Sequence, residues 1–240
     1  MKSLGHVVLF VRTMLFRLGF WLFTLVYGTI GVAVVIPVPF RWRVVVLKQW
    51  VRGILLWLRV TCGVSHQVLG REHIPVGTCV ILSKHSSTWE TLSLMIICDM
   101  PAIVAKKALL KIPFFGWMLA MCKPIAIDRE QSNFAMKQLL KQGKARLAEG
   151  KKVLVFPEGT RVPPGQRKSY KPGGALLAKR NHQKLLLISH NAGLFWSNES
   201  FLIKPGVIIV TISPLMETRD QEIATLNEIS MNWIESHTNV

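Results

Sequence analysis

His85 and Glu90 stand five residues apart in Ile81-Leu82-Ser83-Lys84-His85-Ser86-Ser87-Thr88-Trp89-Glu90. An imidazole braced by a carboxylate is a general-base arrangement, provided the two side chains meet. On one continuous helix this spacing turns about 140° around the axis, and they would not. The local pattern offers another placement. Thr78-Cys79-Val80-Ile81-Leu82-Ser83 reads as a buried strand, Ser86 to Thr88 are helix-capping types, and Trp89, Leu92, Leu94 and Met95 recur with helical spacing. His85 then lies in a strand-to-helix turn, and Glu90 reaches back from the first turn of the helix. On these residues alone, a capping turn with a satisfied histidine fits better than a catalytic pair.

Three further stretches follow candidate strands in the same way. Phe156-Pro157-Glu158-Gly159-Thr160-Arg161 enters a turn in which glycine permits close approach of backbone to a ligand. Arg161 presents a fork suited to a phosphate, and Glu158 is suited to accepting from a hydroxyl or bracing an arginine. From Gly159 to Asn198 there are seven basic residues and no acid, which favours an anionic ligand over a merely solvated face. Lys106-Lys107 opens a second stretch that runs through Leu110, Pro113 and Gly116, and Asp128-Arg129 follows another strand; both an anion site and a solvated turn fit these lysines. The fourth stretch, Leu187-Ile188-Ser189-His190-Asn191-Ala192-Gly193, has no acid near His190, so that histidine is read as structural. There is no Gly-x-Ser-x-Gly elbow, phosphate-binding P-loop, Gly-x-Gly-x-x-Gly or zinc spacing, which removes support for serine hydrolases, kinases and dehydrogenases.

The elements that must position these residues alternate. Strands are expected at 78–83, 102–105, 123–127, 152–156, 185–189 and 207–212, and helices at 88–98, 115–121, 131–149, 173–182 and 219–236. That order predicts an α/β fold with a mainly parallel sheet flanked by helices. The last helix reads as a plain core-capping helix.

Before this domain, residues 1–71 carry nine basic residues and no acid, and 23 uncharged residues separate Arg17 from Arg41. That is enough to cross about 30 Å of hydrocarbon, although Gly28, Gly31, Pro37 and Pro39 also allow a bent helix that dips in and returns. Arg41, Lys48, Arg52 and Arg59 fall within about 20° of one helical line, with Leu47, Trp50, Ile54 and Trp57 roughly opposite. This predicts an amphipathic helix lying in the headgroup region with its tryptophan face toward lipid. Residues 1–65 are therefore expected to form membrane-associating helices, and 66–240 the α/β domain. Charge is heavier after the apolar run than before it, which places the domain on the cytoplasmic side if the run spans. The formal charge is +17, half of the 240 residues are apolar, and mean hydropathy is +0.34. Basic and oily together point to a membrane surface rather than to nucleic acid. Cys62, Cys79, Cys98 and Cys122 form neither a CxxC pair nor a regular spacing, as expected of reduced, buried cysteines.

The four stretches together, in this order, resemble the glycerolipid acyltransferase family, in particular its bacterial 1-acyl-sn-glycerol-3-phosphate acyltransferase branch. His85 and Glu90 match its His-x4-acid motif. Lys107, Leu110, Pro113 and Gly116 match the second motif, with Asp128-Arg129 downstream. Phe156 to Arg161 match the third, and Tyr170 to Ala175 and His190 to Gly193 follow the bacterial pattern. Two departures stand out: Glu90 where much of the family has Asp, and Leu187-Ile188-Ser189 where a Val-Pro-Val outline is usual.

The resemblance implies that His85, oriented by Glu90, deprotonates the sn-2 hydroxyl of lysophosphatidic acid for attack on an acyl-CoA or acyl carrier protein thioester. It further implies that Lys107, Arg129, Glu158, Gly159, Thr160 and Arg161 bind the glycerol phosphate, and that neither metal nor cofactor is required. The expected setting is the cytoplasmic face of a bacterial inner membrane. Two rival readings remain: a different lysolipid acceptor, and a catalytically inactive membrane-surface or nucleic-acid-binding protein.

Overall fold

A computed structural model describes residues 2–35, 39–128 and 132–238. Two long helices come first, α1 (Lys2–Val35) and α2 (Phe40–Cys62). They lead into β1 (Val64–Leu69), β2 (Val80–Ser83), α3 (Trp89–Ile97), β3 (Ala102–Lys106), α4 (Phe115–Met121), β4 (Ile125–Ile127) and α5 (Ser132–Ala148). The chain ends with β5 (Val153–Val155), α6 (Gly173–Arg180), β6 (Leu185–His190), β7 (Gly206–Ile212) and α7 (Ile223–Ser236).

The seven strands form one sheet in the order β1-β7-β6-β2-β5-β3-β4. All neighbours are parallel except β6 and β7. The mainly parallel sheet and all six expected strands are present. The unexpected one is β1: Val64-Ser-His-Gln-Val-Leu is half polar, and its mixed burial is that of an edge strand, so no apolar run announces it.

Strand alternation divides the core. Ile81, Ile103, Leu154 and Ile188 pack with α2, α3 and α4, whereas Val80, Leu82, Val153 and Leu187 pack with α5, α6 and α7. Each such fully buried side chain contributes about 1.5–3 kcal/mol. The functional consequence lies at the carboxyl ends. β6, β2, β5 and β3 are consecutive in the sheet and parallel, so the stretches that follow them open at one rim.

The amphipathic reading of α2 needs correction. Leu47, Trp50 and Ile54 are fully buried and share one core with Phe16 of α1, with α3 and with the sheet. Periodicity reveals an apolar face but not whether lipid or protein covers it; here the protein does. Arg41, Arg52 and Arg59 are exposed, and Lys48 pairs with Asp99 at 2.6 Å. The apolar surface left open lies elsewhere. Val7, Phe10, Leu18, Trp21, Leu22 and Ile30 of α1 are at least half exposed, and Trp42, Leu56 and Val60 of α2 extend that surface. α1 has 34 residues, a length of about 51 Å. Gly5–Ile30 is long and apolar enough to cross a membrane, and it lies along α2, with Arg12 Nε donating to the Thr61 carbonyl at 2.6 Å and Tyr27 Oη to the Val46 carbonyl at 3.1 Å.

Gly116, on the first turn of α4, has no room for a side chain: a Cβ there would sit 2.4 Å from the Leu110 carbonyl oxygen. Gly116→Ala is expected to force the 107–116 segment away from α4 and to cost about 1–3 kcal/mol, as overpacking generally does. Thermal unfolding in detergent checks this.

Candidate active site

β2 ends at Ser83, and the next residues turn across the carboxyl rim before α3 begins at Trp89. The Ser87 hydroxyl accepts from the Trp89 N–H at 3.1 Å, and Thr88 stands at the N-cap position of the helix. Glu90 lies in the first turn and points back. Its Oε1 accepts from His85 Nδ1 at 2.8 Å, from the Ser86 N–H at 2.9 Å and from the Ser87 N–H at 2.8 Å. Because a carboxylate only accepts, Nδ1 carries the ring hydrogen and the lone pair is on Nε2. Nε2 has no hydrogen-bond partner among the described residues, and His85 lines a cavity of about 370 Å³.

The remaining contacts immobilise His85. Its ring stacks on Phe156 with centroids 4.1 Å apart, its N–H donates to Glu158 Oε2 at 2.7 Å, and its carbonyl accepts from the Val162 N–H at 2.8 Å. Glu90 is fully buried. Burial alone raises its carboxyl, but the hydrogen bond from His85, the nearby His190 and His85 rings and the Ser87 N–H outweigh it, so Glu90 is held below its ordinary value. The positive end of α3 adds to this preference for negative charge.

The same cavity is lined by Arg161 and Thr160 from the turn after β5, and by Lys106 at the end of β3. Arg161 Nη1 donates to Asn198 Oδ1 at 2.9 Å, which fixes its reach. Leu92, Ile103, Leu109, Phe115 and Leu119 supply the apolar wall, and Phe20 of α1 joins them. A long helix with an open apolar face thus borders the cavity directly.

The structure brings together His85, Glu90, Thr160 and Arg161 of the residues singled out by sequence. Gly159 sits in the same turn with φ of +72°, a conformation that favours glycine, but it lines a smaller neighbouring cavity of about 120 Å³ with Lys171 and Val155. Glu158 turns away altogether. It is completely buried, with Oε1 2.7 Å from Lys84 Nζ and Oε2 on the His85 N–H, so it braces the loop instead of facing the cavity. Lys107 is exposed in the 3-10 turn that follows β3, and its neighbour Lys106 takes the place on the cavity wall. Arg129 lies outside the described residues.

Burial pushes the Glu158 carboxyl up to about 7; Glu235 adds to that rise, against the lowering by Lys84 and the His85 N–H. His190, read as structural, is buried and donates from Nε2 to the Lys84 carbonyl at 3.0 Å, and burial pulls its ring below the ordinary histidine value against the raising effect of Glu90.

Of the two adjacent lysines that fit an anion site, Lys106 and not Lys107 lines the cavity. Sequence reasoning missed Asn198, Phe20 and the buried charges of Lys84 and Glu235: Lys84 adjoins His85 but nothing local marks it as buried, and the others come from distant segments with no local signal.

A family model described as Acyltransferase matches residues 65–212. The chain belongs to the acyltransferase family. The matched span runs from β1 to the end of β7 and contains His85, Glu90 and Arg161, while α1, α2 and α7 lie outside it. A 1-acyl-sn-glycerol-3-phosphate acyltransferase of Pseudomonas aeruginosa is 43% identical over 229 residues, 93% of this chain and 89% of that protein. A protein of the same description from Limnanthes alba is 25% identical over 178 residues, and there the match covers 73% of this chain and 62% of the relative. Among solved structures, the 1-acyl-sn-glycerophosphate acyltransferase of Thermotoga maritima superimposes with a TM-score of 0.77 at 18% identity, covering 98% of this chain and 97% of its own. That likeness shows the fold over nearly the whole chain.

The depressed carboxyl of Glu90 fixes a pH dependence. It stabilises the folded chain above the ordinary value of 4.5, and that contribution is lost as pH falls through its lower folded value. Wild type is therefore expected to exceed Glu90→Gln in thermal stability at pH 7, with the gap closing as pH falls from 5 toward 3. A gap independent of pH in calorimetry would refute the assignment.

Proposed function

We propose that this acyltransferase moves a fatty acyl group from a thioester, acyl-CoA or acyl carrier protein, to the sn-2 hydroxyl of 1-acyl-sn-glycerol-3-phosphate, giving phosphatidic acid. The observation that carries the reading is that a histidine with Nδ1 tied to a buried carboxylate shares one largely apolar cavity with a tethered arginine. The relatives' descriptions name the same acceptor.

In the proposed reaction His85 Nε2 takes the hydroxyl proton as the oxygen attacks the thioester carbonyl. The tetrahedral intermediate then collapses, the C–S bond breaks, and the thiolate leaves with the proton from the imidazolium. Glu90 holds the reactive tautomer and offsets the positive charge that develops on the ring. Attack by the acceptor itself makes a covalent acyl-enzyme unnecessary, and proton transfer by imidazole asks for no cofactor. Arg161 receives the phosphate, with Thr160 and Lys106 beside it and Lys107 adding positive potential at the rim. The apolar wall from Leu92 to Phe20 receives hydrocarbon.

Residues 1–65 act as the membrane-associating part and 66–240 as the acyltransferase domain in this reading. The open apolar surface of α1 and α2 enters the bilayer, which sets the cavity beside the acceptor's own phase. The heavier cationic charge after the apolar run supports the cytoplasmic face of a bacterial inner membrane as the setting. The exposed basic segment with Arg167, Lys168 and Lys171 suits either anionic donor, the phosphates of CoA or an acidic carrier protein.

Purified protein, labelled acyl-CoA and lysophosphatidic acid test the proposal. Wild type is expected to form phosphatidic acid, and His85→Ala to lower kcat by about 10²–10⁴-fold. Arg161→Ala is expected to raise the acceptor KM roughly ten- to a hundredfold, the worth of a hydrogen bond to a charged group, while binding to lipid vesicles is retained. Equal activity on a lysolipid that lacks the phosphomonoester would move the assignment to another acceptor.

A further inference from the structure

Behind the catalytic loop, on the α7 side of the sheet, lies a buried charged network that the proposed chemistry does not use. Lys84 continues the alternation of Val80 and Leu82 and points away from His85; it is 1% exposed. Its Nζ lies 2.7 Å from Glu158 Oε1 and 2.8 and 3.0 Å from the two carboxylate oxygens of Glu235 on α7. Tyr170 Oη donates to Glu235 Oε1 at 3.0 Å, and the Tyr170 carbonyl accepts from Asn227 Nδ2 at 2.8 Å. α7 is no loose tail at this point, since Ile234 is fully buried and its carbonyl accepts from the Ser189 hydroxyl at 2.7 Å.

Burying an ammonium and two carboxylates costs several kcal/mol per ion before pairing, and apolar residues of equal volume often stabilise as well or better. Stability alone gives a poor account of this cluster, whereas its connectivity gives a direct one. Glu158 spends one oxygen on Lys84 and the other on the His85 N–H, so whatever orients Lys84 orients the peptide that carries the base.

We propose that Glu235 is a positioning residue for acyl transfer: through Lys84 and Glu158 it holds the His85 peptide, and with it the imidazole, in line with the acceptor hydroxyl. The inference rests on the acyl-transfer reading above. Glu235 touches neither substrate nor His85. Without it, Lys84 draws on Glu158 alone, the Glu158 carboxylate rotates, and the hydrogen bond to the His85 N–H is lost. Tyr170 fixes the same carboxylate from the opposite side.

Three variants test this: Glu235→Ala, Tyr170→Phe, and the charge-stripped pair Lys84→Met with Glu235→Leu. Each is assayed for kcat and for KM of both substrates, for thermal unfolding, and for amide hydrogen exchange at His85. Glu235→Ala is expected to lower kcat at least tenfold with both KM values within about twofold, because a displaced base slows chemistry without weakening binding. Tyr170→Phe is expected to lower kcat about threefold with the melting temperature retained. The pair removes Lys84 and Glu235 but leaves Glu158 buried without its cation, so it is expected to unfold below the wild-type temperature unless Glu158 takes up a proton, with kcat at least tenfold low in either case. Recovery of kcat together with stability in that pair, or an unchanged kcat in both single variants, would overturn the inference. Should Glu235→Ala fail to fold, Tyr170→Phe decides by the same criterion. A wild type that forms no phosphatidic acid would instead overturn the reaction assigned here. Hydrogen exchange then decides the positioning role: faster exchange at His85 with unchanged exchange in β2 sustains it, and unchanged exchange at His85 refutes it.

Discussion

A single carboxylate oxygen, Oε1 of Glu90, collects the His85 ring N–H and two consecutive backbone N–H groups, and the geometry of the site follows from that convergence. The three donors come together only if the chain leaves β2, turns sharply and enters α3 within a few residues. Ser86 and Ser87 then present their N–H groups to the helix's first turn instead of to solvent. The same oxygen that orders the turn selects the tautomer of His85, so the fold of the loop and the basicity of Nε2 are one fact. A longer turn would separate them. A continuous helix would place the pair on different faces, which is why a spacing of five residues suits a junction and not a helix.

The sheet converts this local device into a site. β6, β2, β5 and β3 lie side by side and parallel, so His190, His85, Arg161 and Lys106 emerge at one rim although they come from four separated segments. These contributions were legible in the sequence because each follows an apolar strand and each carries a residue type that strand ends rarely need for packing. The fold class was legible for the same reason: six apolar runs alternating with helical periodicity leave little choice but a parallel, layered sheet. β1 was not, because an edge strand with one polar face carries no continuous apolar run.

The parts that escaped share a physical cause. Local pattern reports that a residue is apolar or charged; it does not report what lies opposite. Leu47, Trp50 and Ile54 were assigned to lipid on the strength of periodicity, and protein covers them. The family resemblance places Glu158 on the glycerol phosphate with Arg161. Its burial and its two bonds, to Lys84 and the His85 N–H, show a brace. Glu235, 151 positions from Lys84 along the chain, sits in a helix that reads as ordinary core cover. Long-range ion pairs leave no trace in spacing, since each partner taken alone resembles a surface residue.

The position of Phe20 joins the two halves of the molecule. It belongs to α1, whose outer surface is openly apolar, and it forms part of the wall of the cavity that holds His85. A helix that served only to tether the domain would have no reason to border the site, because any linker length would then serve. Here α1 lies along α2, and α2 is part of the core that supports α3, so the distance between the apolar surface and His85 is set by packing rather than by a flexible connection. For an acceptor whose hydrocarbon stays in one phase and whose phosphate and hydroxyl belong to another, a fixed depth is a condition of reaction: Arg161 and His85 must meet the head group while the chain remains solvated by apolar surface. The rigid attachment of α1 meets that condition, and the long apolar helix is therefore best understood as part of the proposed acceptor site.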